Sequence, residues 1–418
     1  MRRDSLFFHR DFRLLWTGDT ISQFGSIITT TAAPLVAALV LAATPFQMGL
    51  LNAADTAAFL LVGLPAGVWV DRMRRRPLMM AADVGRAVLL ASIPVAWWMH
   101  ALTLTQLILV GLVVGVLTVF FDVAYQSFLP ALVSRDKLIE GNSKLQASQS
   151  VALVSGPAIG GWLTQIAGGA NAIGLNALGF LSSAFCLWRI RAEEPAIEPP
   201  AQRHLGREIA EGLRFVFGNR SLVGIVGCTG SSNFCNSIVG SVGVLALTRL
   251  WGATAGVVGL VLVSGGLGGV VGALTASRIA NRIGQARTIW VSIAATAPFA
   301  LLLPLAGRGW LLSMYGLGWL MLGFGGVVYN IAQVSYRQAI CPDRLLGRMN
   351  ASVRFLVWGT LPLGALVGGV LGNTIGIRPT LWVGAIGMVL AVLPVVLSPL
   401  RKLRDLPTSV EPEVAAVD

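Results

Sequence analysis

The sequence predicts an all-α membrane protein, with twelve transmembrane helices arranged as two pseudo-symmetric six-helix bundles. Three observations carry that expectation. Of the 418 residues, 55% are hydrophobic and only 12% are charged, about half the charged share of an ordinary soluble domain. Apolar stretches of the roughly 20 residues that a bilayer core requires recur along nearly the whole chain. The chain also repeats itself.

Taken in order, the apolar runs place helices at 13–41, 46–70, 78–99, 103–128, 143–167, 170–190, 221–247, 255–280, 288–306, 310–335, 350–373 and 379–399. Many of the 49 glycines lie inside these runs, where small residues let membrane helices approach closely. The loops alternate in charge. Of the 31 Lys and Arg, 26 fall at the N-terminus, in the even-numbered loops or at the C-terminus. The odd-numbered loops hold only Arg249, Arg308 and Arg378, while Arg86 and Arg354 lie inside spans. By the positive-inside rule the basic side is cytoplasmic and carries both termini, which predicts a multi-pass protein of the cell (inner) membrane in contact with lipid. The net charge of +12 is then a matter of topology, and no nucleic acid partner is expected. The first apolar run is too long for a cleaved signal peptide. Cys186, Cys228, Cys235 and Cys341 form no CxxC pair, so neither a metal site nor a disulfide framework is indicated, and no cofactor is expected.

Four domains follow: a six-helix bundle over 1–191, a cytoplasmic linker over 192–220, a second bundle over 221–405 and a disordered cytoplasmic tail over 406–418. The linker carries Glu193, Glu194, Pro195, Pro199 and Pro200. Its stretch 207–217 reads as an amphipathic helix with Ile209, Leu213 and Phe217 on one face. The halves repeat at spacings near 205–208. Gly67 pairs with Gly272, and Pro157 with Pro362. Arg135-Asp136-Lys137-Leu138 recurs as Pro342-Asp343-Arg344-Leu345, and Phe121-Asp122-Val123-Ala124 as Tyr329-Asn330-Ile331-Ala332. Such spacing marks a duplication. An even number of helices per copy gives both the same orientation.

Two motifs stand at functional places. Gly67-x3-Asp71-Arg72-x-Arg74-Arg75-Arg76 lies at the turn between spans 2 and 3. Its acid and arginines can form charge-assisted bonds across helix ends and so latch one conformation; as bare arginines they equally serve to anchor topology. At this spacing the motif resembles the hallmark loop of the major facilitator superfamily, with Arg74 where a glycine is usual. Gly156-Pro157-x2-Gly160-Gly161 in span 5 resembles the antiporter motif of drug-exporting members, with Ala152 in place of an earlier glycine. It also reads as a plain packing interface, since Pro kinks a helix and Gly admits a neighbour. Phe12-Arg13-Leu14-Leu15-Trp16, Leu129-Pro130-Ala131-Leu132-Val133, Asn142, 342–348 and Pro362-Leu363-Gly364-Ala365 resemble the branch that includes enterobactin exporters and macrolide efflux proteins. The resemblance spans residues 10–400. It implies the major facilitator fold, with halves related by an axis along the membrane normal and substrate bound between them near the midplane.

Ionisable groups inside membrane spans are costly and mark transport paths or proton relays. Here they are Asp19, Asp55, Asp83, Asp122, Arg86 and Arg354, and no Asp or Glu occurs from 212 to 342. Proton carriers are therefore expected in the first half. Asp19 shares a helix face with Gln23 and Ser26, and Asp55 lies near mid-bilayer; both are candidate proton-coupling residues, or else structural hydrogen-bonding groups. Asp83 stands one turn from Arg86 and can pair with it. Asp122 is assigned to the latch with the arginines at 72–76, and Arg354 to a pairing with Asp71. In this fold spans 1, 4, 7 and 10 line the cavity. Gln23, Asn233, Asn236, Ser237, Tyr329, Asn330 and Gln333 are then its expected uncharged polar lining, unless they hydrogen-bond between helices.

The expected function is proton-coupled export of a small-molecule substrate, a lipophilic drug-like compound or a siderophore, by a monomer. Uptake of a metabolite by symport and a non-transporting receptor or scaffold are the alternatives. An enzyme is not expected: HExxH, GxSxG and Walker A patterns do not occur.

Overall fold

Each apolar run forms a helix in the computed structural model, which describes residues 6–70, 72–133, 137–192 and 205–405. The first half contains α1 (Arg10–Leu39), α2 (Pro45–Val70), α3 (Arg75–Trp98), α4 (Leu104–Leu132), α5 (Leu138–Ala167) and α6 (Gly169–Arg189). A short α7 (Leu205–Gly218) follows. In the second half α8 (Arg220–Leu245) ends in a wider turn over Ala246–Leu250, and α9 (Ala255–Ile283) comes next. The next crossing is α10 (Gln285–Thr296), a tighter turn over Ala297–Leu301 and α11 (Leu302–Leu305). Then come α12 (Leu312–Ile340), α13 (Asp343–Trp358) joined to α14 (Thr360–Thr374), and α15 (Ile377–Leu390) joined to α16 (Leu393–Val396). Pro298 and Pro394 stand at two of these joints, as expected of a residue that removes a backbone donor.

Among the described residues, eleven helices are long and apolar enough to cross a bilayer. The twelfth crossing of the expected fold is α5, 30 residues long. Its first half is polar because Asn142, Ser143, Gln146, Gln149 and Ser150 face a cavity. Lipid-side positions carry exposed Leu, Val and Ile, while Trp69, Trp98, Trp162, Trp188 and Trp310 stand exposed near helix ends, the usual place of interfacial aromatics.

Local chemistry sets the helix starts. Thr44 and Gln47 exchange bonds at the head of α2 (Thr44 N to Gln47 Oε1 2.8 Å, Gln47 N to Thr44 Oγ1 3.3 Å), a capping box. The Asn219 side chain accepts from the Ser221 and Leu222 amides to start α8. The three arginines that break the charge pattern have structural partners. Arg249 donates to Ala38 O, Arg308 to Leu250 O, and Arg378 to Pro304 O and Ala306 O. Each thereby satisfies a carbonyl left open at a helix C-terminus.

The duplication is visible in the backbone, in a corrected register. Left-handed residues recur as Ala42 with Gly252, His100 with Gly309 and Gly168 with Gly376, spacings of 208–210 rather than 205. The starts of α2 and α9, Pro45 and Ala255, agree. Gly67 therefore matches Ser277, not Gly272, and Asp71 matches Asn281. Gly156-Pro157-x2-Gly160-Gly161 matches Gly364-Ala365-x2-Gly368-Gly369, so Pro157 does not pair with Pro362. Matching isolated residues, rather than whole segments, produces the wrong register.

α1 to α6 pack on one another, and α8 to α16 do likewise. The halves meet chiefly where α5 packs on α9 and α14 on α2. Both seams tighten at the end away from the chain termini. A Cβ on Gly161 would lie 2.5 Å from Ala255 O and 2.9 Å from the Gly259 Cα; one on Gly49 would lie 2.5 Å from Ala365 O and 2.7 Å from the Gly369 Cα. These are one contact made twice by the two copies. Arg249 to Ala38 O and the Gly256 amide to Gln165 Oε1 (3.0 Å) add bonds between the halves at this end.

The linker helix belongs with the second half. α7 lies on α13, with Gly212 against Ser352 and the Arg348 carbonyl, and Glu211 pairs with Arg348. Its buried face carries Gly212 and Val216, while Phe217 is exposed. The expected face is thus displaced by one residue, because the α13 backbone approaches at Gly212. The Ile209 side chain, the linker prolines and acids at 193–200 and the tail after 405 lie outside the described residues.

Candidate transport path and its charged cluster

Four helices of the first half bring the intramembrane charges together. Asp19 and Gln23 come from α1, Asp83 and Arg86 from α3, and Thr118, Asp122, Tyr125 and Gln126 from α4; the polar half of α5 closes the group. Most of these line a cavity of about 900 Å³ that runs from Asp19 and Arg86 to Asn142 and Ser143 at the start of α5, toward the arginine-rich end. At the opposite end the glycine seams are shut. Among the described residues, the cavity reaches the arginine-rich end and the other end is closed by the seams.

Arg86 is the fixed point of the cluster. It is 3% exposed, pairs with Asp83 one turn away and donates to Thr118 Oγ1 at 3.3 Å. Its guanidinium lies between the Phe121 and Phe180 rings, 4.4 and 4.1 Å from their centroids, so two aromatic faces replace water around a buried cation. The Asp83–Arg86 pairing is the one expected. Asp19 is buried, with Gln23 and Tyr125 against its carboxylate and Asp83, Asp122 and Arg86 as its charged neighbours. The Tyr125 hydroxyl is buried and faces that carboxylate.

Asp122 stands among these groups rather than at the turn with the arginines. Arg86 and Arg354 are the cations that act on it, because one helical face of α4 carries it toward the interior. It borders the large cavity and two smaller ones. One of these, about 210 Å³, lies between the halves, with Asp122 and Gln126 on one wall and Arg354 on the other. Arg354 stacks on Phe59 of the first half and Trp358 of its own, 5.2 and 4.9 Å from the centroids. Asp71, its expected partner, lies outside the described residues. Gly67 lies in the last turn of α2, and Arg72 and Arg74 are exposed. Arg75 begins α3. Arg76 donates to Leu187 O (2.8 Å) and Trp188 O (2.6 Å), capping the C-terminus of α6.

Asp55 lies beside the cluster, in a cavity that Thr118 and Asp122 also border. This mainly apolar cavity of about 340 Å³ lies inside the first half, walled by α1, α2, α3, α4 and α6 with Trp358 and Leu361 from the second. Gly111 of α4 makes room for its carboxylate: a Cβ there would lie 2.7 Å from Asp55 Oδ1.

The polar stripes of α8 and α12 mostly serve packing. Asn233 donates to Val357 O (3.2 Å) and Ser237 to Leu361 O (2.7 Å), tying α8 to α13 and α14. The Tyr329 hydroxyl donates to Ile225 O (3.2 Å) and lies 2.7 Å from Thr229 Oγ1. Gln333 bonds to Asn330 on its own helix, and Asn236 is half-buried. Gln23 does line the large cavity. Gly156, Gly160 and Gly161 pack on Ile27, Ile28 and α9, and Pro157 O faces Gly259, so the span 5 motif is a packing surface on two sides. Sequence reasoning misses the polar residues of α5, although glutamine and serine at 143, 146, 149 and 150 within an apolar span signal a wet face.

Helices in duplicated halves, a polar path open at one end and charges massed within the bilayer define a membrane transporter of the major facilitator type. The chain belongs to the transmembrane secretion effector family, whose model matches residues 5–416. It is 27% identical over 183 residues to the multidrug efflux pump Tap of Mycobacterium tuberculosis, a match covering 42% of this chain and 44% of that protein. To the uncharacterised MFS-type transporter YfiS of Bacillus subtilis it is 26% identical over 212 residues, 48% of each chain. The chain thus matches less than half the length of these relatives. Among solved structures, a bacterial homologue of the iron transporter ferroportin, in its inward-facing state, superposes with a TM-score of 0.74 at 16% identity, covering 93% of this chain and 98% of that one. The nucleoside transporter NupG gives 0.72 at 12% identity, covering 94% and 99%. These similarities concern the fold.

Proposed function

We propose that the chain is a proton-driven exporter that carries a lipophilic, drug-like molecule outward by alternating access. The observation that carries this reading is the 900 Å³ cavity, open at the arginine-rich end and lined by Asp19, with the other end shut. By the positive-inside rule the open end is cytoplasmic, the termini lie there too, and the membrane is the inner one. Substrate enters from the cytoplasm or inner leaflet; residues 1–191 and 221–405 rock as two bodies bridged by 192–220, and the chain works as a monomer. Asp19 and Asp55 are the proton carriers in this scheme. Gly67, Asp71, Arg72, Arg74, Arg75 and Arg76 latch the turn, and Asp122 faces Arg354 across the halves. The name of the relative Tap, a multidrug efflux pump, supports export.

Reconstituted vesicles with an imposed pH gradient test the scheme. A lipophilic dye should move against the proton flux in wild type, and Asp19→Asn should lose gradient-driven accumulation. Accumulation unchanged in both Asp19→Asn and Asp55→Asn, or equal with and without the gradient, rules out this coupling.

A further inference from the structure

We infer that the apolar cavity around Asp55 is a binding site for a lipophilic monocation, with the Asp55 carboxylate as its counter-ion. The inference deepens the exporter reading, on which it rests for its substrate class.

Three observations lead there. First, the cavity is mainly apolar. About 340 Å³ is lined largely by Leu, Ile, Val and Ala side chains, with Phe59, Phe180 and Trp358 supplying aromatic faces and a minority of hydroxyl and amide groups, Thr29, Thr30 and Asn176 among them. Such a wall accepts a compact apolar body, and its rings attract a cation within reach of their faces. Second, Asp55 enters that wall without a cationic partner. Among the described residues no side chain pairs or hydrogen-bonds with it, and none of the arginines acts on it. Its neighbours differ in this respect. Asp83 is paired with Arg86; Asp122, at the far edge of the same cavity, has Arg86 and Arg354; Asp19 has Gln23 and Arg86. Third, the site is shaped around the carboxylate. Gly111 leaves space for Oδ1, and Gly115 lets α4 close on Ala58 one turn further along. Asp55 is open to the cavity rather than sealed in its wall, so a ligand that brings both a positive charge and apolar bulk meets the carboxylate directly and gives it a partner within the membrane span.

The alternative ligand classes fit less well. An anion would meet Asp55 directly, and a polar metabolite would find hydrogen-bonding partners on one part of the wall only, the rest being Leu, Val, Ile and aromatic rings. The cavity also reaches the second half through Trp358 and Leu361, so a bound ligand touches both halves and its arrival can be felt by the rocking interface.

The test uses two ions of matched shape and opposite charge, tetraphenylphosphonium and tetraphenylborate, with the purified full-length protein immobilised in detergent. Saturable binding of radiolabelled tetraphenylphosphonium is expected in wild type. It should weaken roughly tenfold or more in Asp55→Asn, in line with loss of one partner of a desolvated charge pair, and stay unchanged in Asp405→Asn, an acid at the far chain end. Radiolabelled tetraphenylborate, assayed on its own because the two ions pair and precipitate when mixed, should show no saturable binding. Saturable binding of tetraphenylborate alone with equal affinity, absence of saturable tetraphenylphosphonium binding, or wild-type affinity in Asp55→Asn would each overturn the inference; the first two need no variant, so a folding defect does not obscure them. Binding without proton-driven flux in vesicles would sink the exporter reading and leave the cation site standing. Flux without discrimination between the two ions would do the reverse.

Discussion

Arg86 occupies the interior of a membrane bundle, where a lone cation is least tolerated, and keeps its charge by pairing with Asp83 and by lying between two phenylalanine rings. Replacing it by leucine leaves the Asp83 carboxylate buried and uncompensated, a change that costs about 3–5 kcal/mol in buried pairs. Arg86→Leu should therefore lower the thermal unfolding midpoint in detergent well below that of the double variant Arg86→Leu/Asp83→Leu, in which neither charge remains. Equal midpoints would show that the stranded Asp83 carboxylate carries no such cost. The pairing itself is legible from a three-residue spacing on one helix. The aromatic sandwich is not, because Phe121 and Phe180 come from two other helices whose rotations a sequence does not fix. Asp122 falls into the wrong company for the same reason: its depth is readable, its face is not.

At the scale of elements, glycine placement decides how closely helices meet. A valine at Gly161 would drive its side chain into the Ala255 carbonyl and the Gly259 backbone, and valine at Gly369 would do the same to Gly49 and Phe46 O. Either change should splay the closed end, read as a longer distance between spin labels placed on the turn after α1 and the turn after Leu250. On α7, Gly212→Leu should lift the helix from Ser352 and Arg348, giving faster protease cleavage within 205–218 and no change in the rest of the fragment pattern. The helices, their order and their charge asymmetry are legible because lipid imposes length and hydropathy on each crossing. The polar stripes of α8 and α12 are legible as stripes only. A period of three and four identifies a shared face, but Asn233 and Ser237 turn that face to carbonyls of α13 and α14, while the real wet wall is on α5.

The whole molecule is chemically lopsided. Every acid within the crossings belongs to the first half, and the second contributes Arg354 at the seam. A cysteine at Gln149, on the cavity wall, should react with a membrane-impermeant maleimide added from the arginine-rich side and be protected when the opposite end is forced open. Reaction from the other side in the resting protein would contradict the direction of opening. The paired glycine seams have a further corollary for heredity. Gly161 and Gly259 share one gap, Gly49 and Gly369 another, and both gaps must admit the same spacing for the end to shut evenly. Any enlargement at one of the four sites has to be answered by its opposite number, so among descendants of the original doubling these positions should drift as a quartet, changing together or staying small together.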